Sequence, residues 1–301
     1  MIYPHSNCSL VLNLESQLGE GAIWNNIEKK LYWVDILGKI LNIYDPKANT
    51  HLSFATGKMV GTVVPFGHQK VLLALHDGLA TMDLVLGEPE YLLRTEIHIQ
   101  NKRFNDGKCD ARGRFWVGTL TLGKETNDNK LYCITPDLSV TEKMHDLTIS
   151  NGVAWALDGK TMYHIDTPTG EVTAHDFDED TGAISNRRVI IKIPNVTGYP
   201  DGMTIDSEGM LWIALWDGFC VARFNPNTGE LIQKIDVPAP KVTSCAFGGE
   251  NLDQLYITTA RCDMSEDELL QYPLSGGLFV ADIKIKGVGA YSFNRREQLN
   301  I

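Results

Sequence analysis

No apolar run in the chain approaches the roughly 18 to 20 residues that a membrane-crossing helix needs, and the opening MIYPHSNCSL lacks a basic segment followed by an apolar one. The expectation is a protein with no membrane association, located in the cytoplasm. Positive charge is short: 27 Lys and Arg stand against 38 Asp and Glu, a formal net charge of -11. That balance opposes binding to a phosphate backbone, which needs clustered cations, so no nucleic-acid partner is expected. Cys8, Cys109, Cys133, Cys220, Cys245 and Cys262 are scattered without the close pairs of zinc sites. Without a secretory context they are expected to be reduced and mostly buried. No Gly-Xaa-Ser-Xaa-Gly elbow occurs, and Ser150 and Ser244 have no evident partnered base, which disfavours a serine nucleophile. The glycines of LGEGAIW are not followed by a helical pattern, so they carry no nucleotide signal. Helical spacing is almost missing; Ser265 to Gln271 reads as one short helical turn whose acidic start suits the helix dipole.

What is present is a repeat. Strand-like runs begin at Leu31, Val71, Phe115, Met162, Leu211 and Leu255, in steps of 40, 44, 47, 49 and 44 residues. Periods of about 40 to 50 residues, with four short strands each, are the mark of propeller blades. The clearest unit runs from Asn151 to Ile193: NGVAWALD and KTMYHIDT flank Asp158-Gly159, a tight-turn dipeptide, and EVTAHDFD and ISNRRVIIKI follow around EDTG. Asp110-Ala111-Arg112-Gly113 and Asp206-Ser207-Glu208-Gly209 occupy the same place in other units. The reading is an all-β, six-bladed β-propeller with four antiparallel strands per blade, a single domain over residues 1–301. Its ring is expected to close by pairing of Cys8 to Leu12 with Gly277 to Val280.

Ahead of each strand-like run lies a second pattern. LGEGAIW holds Glu20, RFNDGKCD holds Asn105, ISNGVAW holds Asn151 and YPDGMTID holds Asp201, while Val60-Gly61 and Ser244-Cys245 occupy the remaining two places. The first strand of a blade lines the central channel, so these residues are expected to crowd one mouth of it, with Cys245 beside the cluster. The neighbouring Gly21, Gly107, Gly152 and Gly202 suit close backbone approach or unusual torsions. His76, His145, His164 and His175 fall outside this register and are read as surface or structural residues.

In combination, Leu18-Gly19-Glu20-Gly21, Arg103-Phe104-Asn105-Asp106-Gly107, Ile149-Ser150-Asn151-Gly152, Tyr199-Pro200-Asp201-Gly202-Met203, Ser185-Asn186-Arg187-Arg188, Thr243 to Gly249 and Thr259-Ala260-Arg261 carry a resemblance. They resemble the senescence marker protein (regucalcin), gluconolactonase and luciferin-regenerating enzyme family, with a look closest to bacterial sugar lactonases. The resemblance implies that Glu20, Asn151 and Asp201 are ligands of one divalent metal ion, and that Arg103 and Asn105 hold a sugar lactone. It also implies a further substrate-contacting Glu, for which this chain has Gly123 at the ungapped position; Glu125 is the candidate replacement.

Two carboxylates and an amide suit Ca²⁺, Mg²⁺ or Mn²⁺, with Fe²⁺ and Zn²⁺ left open. Such an ion polarises a lactone carbonyl and activates water. The expected activity is therefore metal-dependent hydrolysis of a sugar lactone, an aldono-1,4- or 1,5-lactone such as gluconolactone or a pentonolactone, to its aldonic acid. Asp201 is the first candidate for the base and Asp106 its rival. Arg103 is read as a donor to the lactone and a counter-charge for the product. The alternatives are a calcium-binding propeller without lactonase activity, or phosphotriesterase or luciferin-regenerating chemistry at the same metal. A monomer or weak homo-oligomer is expected.

Overall fold

Tight turns and alternating apolar residues build the same antiparallel unit six times over. In a computed structural model that describes residues 5–95 and 97–293, the strands form six antiparallel blades. Blade 1 comprises Gly19–Asn25, Lys30–Asp35, Ile40–Asp45 and Thr50–Ala55. Blade 2 comprises Val60–Pro65, Lys70–Leu75, Gly78–Asp83 and Pro89–Arg94. Blade 3 follows with Lys102–Cys109, Phe115–Thr121, Asn129–Ile134 and Val140–Leu147, and blade 4 with Ser150–Trp155, Thr161–Asp166, Glu171–Asp178 and Ala183–Lys192. Tyr199–Ile205, Leu211–Trp216, Cys220–Phe224 and Leu231–Asp236 make blade 5, and Val242–Gly248, Gln254–Thr259 and Leu278–Asp282 the first three strands of blade 6. The fourth strand of blade 6 is Ser9–Leu12, which pairs antiparallel with Leu278–Asp282 through Ser9 and Val280, Leu10 and Phe279, and Leu12 and Leu278. The ring thus closes where the sequence pattern anticipates. An addition not anticipated is His5–Asn7, which extends the outer edge of blade 5 in parallel.

Two of the turns anticipated between first and second strands, those at Asp110 and Asp206, are anchored beneath by buried polar clusters, whereas Asp158 is exposed. Asp110 Oδ2 accepts from Trp116 Nε1 at 2.9 Å and from Arg114 Nε at 2.6 Å, while its other oxygen takes the Arg112 and Arg114 backbone N–H groups. Asp206 repeats this with Trp212 Nε1 and Arg223 Nε at 2.8 and 2.7 Å. Each aspartate is fully buried and paired, so its charge is neutralised where it is desolvated. The short helix Glu266–Gln271 also forms, capped reciprocally by Ser265 and Glu268.

Neighbouring inner strands pack side by side around the ring, the last against the first. In every blade the pairing of inner and second strand slips by one residue: between Glu20 and Ile23, Val60 and Val63, Phe104 and Gly107, Ser150 and Val153, Pro200 and Met203, and Val242 and Ser244. Each slip is a β-bulge, which bends the strand and re-aims a side chain. Glycines permit the bulges to sit shoulder to shoulder: a Cβ on Gly152 would stand 2.6 Å from the Asp201 carbonyl oxygen of the next blade. Close approach, rather than torsion, is the constraint at that position.

Candidate active site

Counting from the last paired residue before each bulge corrects the simple sequence register. That place is held by Glu20, Val60, Phe104, Ser150, Pro200 and Val242. Asn105, Asn151 and Asp201 stand one residue later, inside the bulge, so Glu20 is displaced by one from its supposed counterparts. In blade 6 the place equivalent to Asn105 belongs to Thr243, not to Ser244-Cys245. Glu20 still joins the cluster because its side chain is one methylene longer than that of Asp. Cys245 does not: it lies deeper in the strand, fully buried, with Sγ 3.5 Å from the Trp212 carbonyl oxygen.

Glu20, Arg103, Asn105, Asp106, Asn151 and Asp201 are all buried, each no more than 6% exposed. Asn151 Nδ2 donates to Thr167 Oγ1 at 3.0 Å, and Thr167 donates on to the Pro200 carbonyl at 2.9 Å. This relay fixes the amide and leaves Asn151 Oδ1 buried without a partner; Asp201 Oδ1 and Asp106 Oδ2 are likewise unpaired. Asn105 is engaged at both ends, accepting from Arg103 Nη1 at 2.7 Å and donating to the Ser150 carbonyl at 3.0 Å. In this arrangement Asn105 holds Arg103, whose Nε is buried and unpaired.

The electrostatics follow from crowding acids in a dry place. Burial first, then the negative charge of Asp106, pushes the Glu20 carboxyl up to about 8. Asp201 is raised well above its ordinary value by burial and by Glu20 and Asp106, while Asn151 and Arg103 pull it back. Asp106 is raised by burial, against the lowering effects of Lys108 and the Gly107 N–H. Burial brings Arg103 down to about 10, although Glu20 and Asp201 favour its charged form. Buried oxygens without donors, on groups that resist carrying charge, call for a cation. Among the described residues no three His, Cys, Asp or Glu side chains gather closely enough to hold a metal by themselves. A cation here would therefore depend on the Asn151 amide, and two carboxylate groups with an amide oxygen are a donor set that fits a hard divalent ion.

Glu125 is not brought into this cluster; it lies exposed on the loop joining the second and third strands of blade 3, with Asp166 among its charged neighbours. His164 and His175 are buried in blade 4, His164 against Ser150 Oγ at 2.9 Å, and His145 is exposed beside Glu142. The cysteines are free, and Cys109, Cys133, Cys220 and Cys245 are buried. A residue missed in the sequence is Thr167, which holds the Asn151 amide. It had a usable signal in its place after the His-Ile-Asp of the second strand. A cavity of about 230 Å³ opens at the opposite end of the channel, lined in part by Ile23, Lys108, Val153 and Cys245, away from the acidic cluster. Among the described residues no helix is long and apolar enough to cross a membrane.

Residues 18–261 match a family model described as "SMP-30/Gluconolactonase/LRE-like region". A Bacillus subtilis (strain 168) protein provisionally named sugar lactone lactonase YvrE is 37% identical over 270 residues, 90% of this chain and 92% of the relative. Regucalcin of Danio rerio is 36% identical over 287 residues, 94% of this chain and 97% of the relative. A crystal structure described as a calcium-binding protein, regucalcin, from Agrobacterium tumefaciens superposes with a TM-score of 0.92 at 26% identity, covering 97% of this chain and all of the other.

Proposed function

The chain belongs to the SMP-30/gluconolactonase/LRE-like family, and from that membership together with the cluster at the channel mouth we propose that it is a divalent-metal-dependent hydrolase opening a sugar lactone to its aldonic acid. The observation that carries this reading is the pair of buried, unpaired oxygens Asn151 Oδ1 and Asp201 Oδ1 beside the Glu20 carboxyl. Glu20, Asn151 and Asp201 would hold the ion. When bound, it would supply Lewis-acid polarisation of the lactone carbonyl and a more acidic water.

The chain's own groups complete the chemistry. Asp201 is the first candidate to take the proton of the attacking water. Asp106, whose Oδ1 accepts from the Gly107 N–H at 2.8 Å while Oδ2 is free, is the second carboxylate of the cluster. Arg103 directs its unpaired Nε–H to the lactone oxygens and opposes the carboxylate that ring opening creates. Asn105 keeps that guanidinium in place. A buried arginine with its Nε–H left free favours an enzyme over a calcium buffer, since ion binding alone has no use for a cation beside the ligands.

The test follows acid release from a panel of 1,4- and 1,5-aldonolactones, with chelator and with Ca²⁺, Mg²⁺, Mn²⁺, Zn²⁺ or Fe²⁺ restored in turn. Metal-dependent hydrolysis above the spontaneous rate is expected for at least one lactone; none on any member with any ion overturns the reading. Glu20→Gln and Asp201→Asn are expected to lose tight metal binding and activity together, measured by calorimetric titration and by rate. Asp106→Asn decides the base: retained metal binding with activity down by a factor of about 10² or more would assign that role to Asp106.

A further inference from the structure

The bulge register brings out one more pair. The residue just before the last paired position is Gly19 in blade 1, Met59 in blade 2, Arg103 in blade 3, Ile149 in blade 4, Tyr199 in blade 5 and Lys241 in blade 6. Two of the six are cations, and they stand on blades 3 and 6, opposite one another across the ring. The equivalence holds in the pairing too: Arg103 faces Leu120 on its second strand, and the Lys241 carbonyl accepts from the N–H of Ala260, the matching residue of blade 6.

Lys241 is 8% exposed, with Nζ 4.4 Å from the centroid of the half-buried Trp216 ring. Its ammonium makes no hydrogen bond or ion pair with the described residues. The acids near its end of blade 6 are committed elsewhere or turned to solvent: Asp263 is exposed, and the exposed Glu268 accepts from the Ser265 N–H and hydroxyl at 2.8 and 2.9 Å. Lys241 belongs to the same mouth as the cluster. Its neighbour two residues on, Thr243, donates to the Gly19 carbonyl beside Glu20. Burial and then Asp263 raise the Cys262 thiol, with smaller effects from Lys241, Arg103 and Glu20, so that thiol lies between the lysine and the cluster.

The charged neighbours separate the two cations. Arg103 lies in the field of the Glu20 and Asp201 carboxylates, whereas the carboxylate that Lys241 acts on is the solvent-exposed Glu268. The Lys241 ammonium therefore rests on Trp216 with no acid of the cluster holding it. A neutral aldonolactone offers no charge to meet it. We propose that Lys241, stacked on Trp216, is a substrate-binding residue that receives an anionic group at the end of the molecule remote from the lactone carbonyl, so that the preferred substrate is a sugar lactone carrying a carboxylate or a phosphate. This rests on the lactone-hydrolase reading for the chemistry at the opposite side of the mouth. Arg103 and the metal ligands hold the reacting ester, and the Lys241–Trp216 wall selects what is attached to it.

The experiment compares metal-loaded wild-type protein, K241M and K241R on three lactones of one ring size: a neutral aldonolactone, one ending in a carboxylate and one ending in a phosphate. The wild type is expected to favour an anionic lactone over the neutral one by about tenfold or more in kcat/KM, the scale of one charge-assisted hydrogen bond. Whichever anionic substrate wins identifies the group. K241M is expected to bring the ratio close to one and K241R to keep most of it. A wild-type ratio at or below one, or a ratio that persists in K241M, overturns the assignment.

Binding of the ring-opened acids, read by intrinsic tryptophan fluorescence, keeps the question separate from catalysis. The dianionic acid is expected to bind the wild type about tenfold more tightly than the neutral-tailed acid, with the difference lost in K241M. If all three lactones resist hydrolysis, the hydrolase reading is decided by the full lactone panel, and this binding difference alone supports or removes Lys241 as an anion receptor.

Discussion

Thr167 shows how a single hydroxyl sets up a site whose principal groups lie on other strands. It accepts from Asn151 Nδ2 and donates to the Pro200 carbonyl, so the amide oxygen of Asn151 can face only the acidic cluster. Thr167→Val is expected to lower divalent-metal affinity by about 10- to 100-fold, as losses of ligand-orienting partners do, with unfolding little changed; calorimetric titration and thermal melting read the two. His164 gives a pH prediction. Burial first, with His175 and Arg187 adding to it, lowers His164 to about 3, so the folded protein resists a proton that the unfolded chain accepts near 6.5. The unfolded state therefore binds more protons between these values. Stability is expected to fall by the order of a few kcal/mol as pH drops from about 6.5 toward 3. Denaturant titrations across that range should show a shallower pH slope in His164→Gln; an unchanged slope would place the acid sensitivity elsewhere.

At the scale of the element, the bulged inner strand is the unit that carries the buried polar cluster. Its position before a hydrophobic strand was legible in the sequence, as were the turns at Asp110, Asp158 and Asp206, because turn chemistry and alternation are local. The bulge itself was not legible: it is defined by which residue pairs with which, and the pattern Glu-Gly in blade 1 looks like Asn-Gly in blade 4 although Glu20 sits one place earlier. The same offset moved Thr243 into the place assigned to Ser244 and took Cys245 out of the site. Gly152→Ala is expected to destabilise the fold by about 1 to 3 kcal/mol and weaken metal binding, because its Cβ would press 2.6 Å from the Asp201 carbonyl oxygen. Chemical denaturation and metal titration of the variant test both effects.

For the whole molecule, closure is the decisive event. Ser9–Leu12 completes blade 6, and without it Leu278–Asp282 becomes an open edge. Deleting residues 1–12 is expected to lower Tm by about 10 °C or more or to produce association through that edge, as followed by scanning fluorimetry and light scattering. A deletion that melts like the full chain would show that blade 6 is stable with three strands. Closure also creates the mouth: the Thr243 hydroxyl and the Gly19 carbonyl, 224 residues apart, meet only when the last blade reaches the first.

The sequence by itself determined the sixfold period, the four-stranded blade and the closing strand. It also determined the identity of the acids and amides ahead of each blade, because these are written in short-range alternation, turn residues and spacing. Only the tertiary structure decided that Asn105 accepts from Arg103, that Glu125 stands apart on an exposed loop, and that Lys241 holds on blade 6 the register place that Arg103 holds on blade 3. Such relations depend on the slip at each bulge and on the meeting of the first and last blades, contacts that no local pattern encodes.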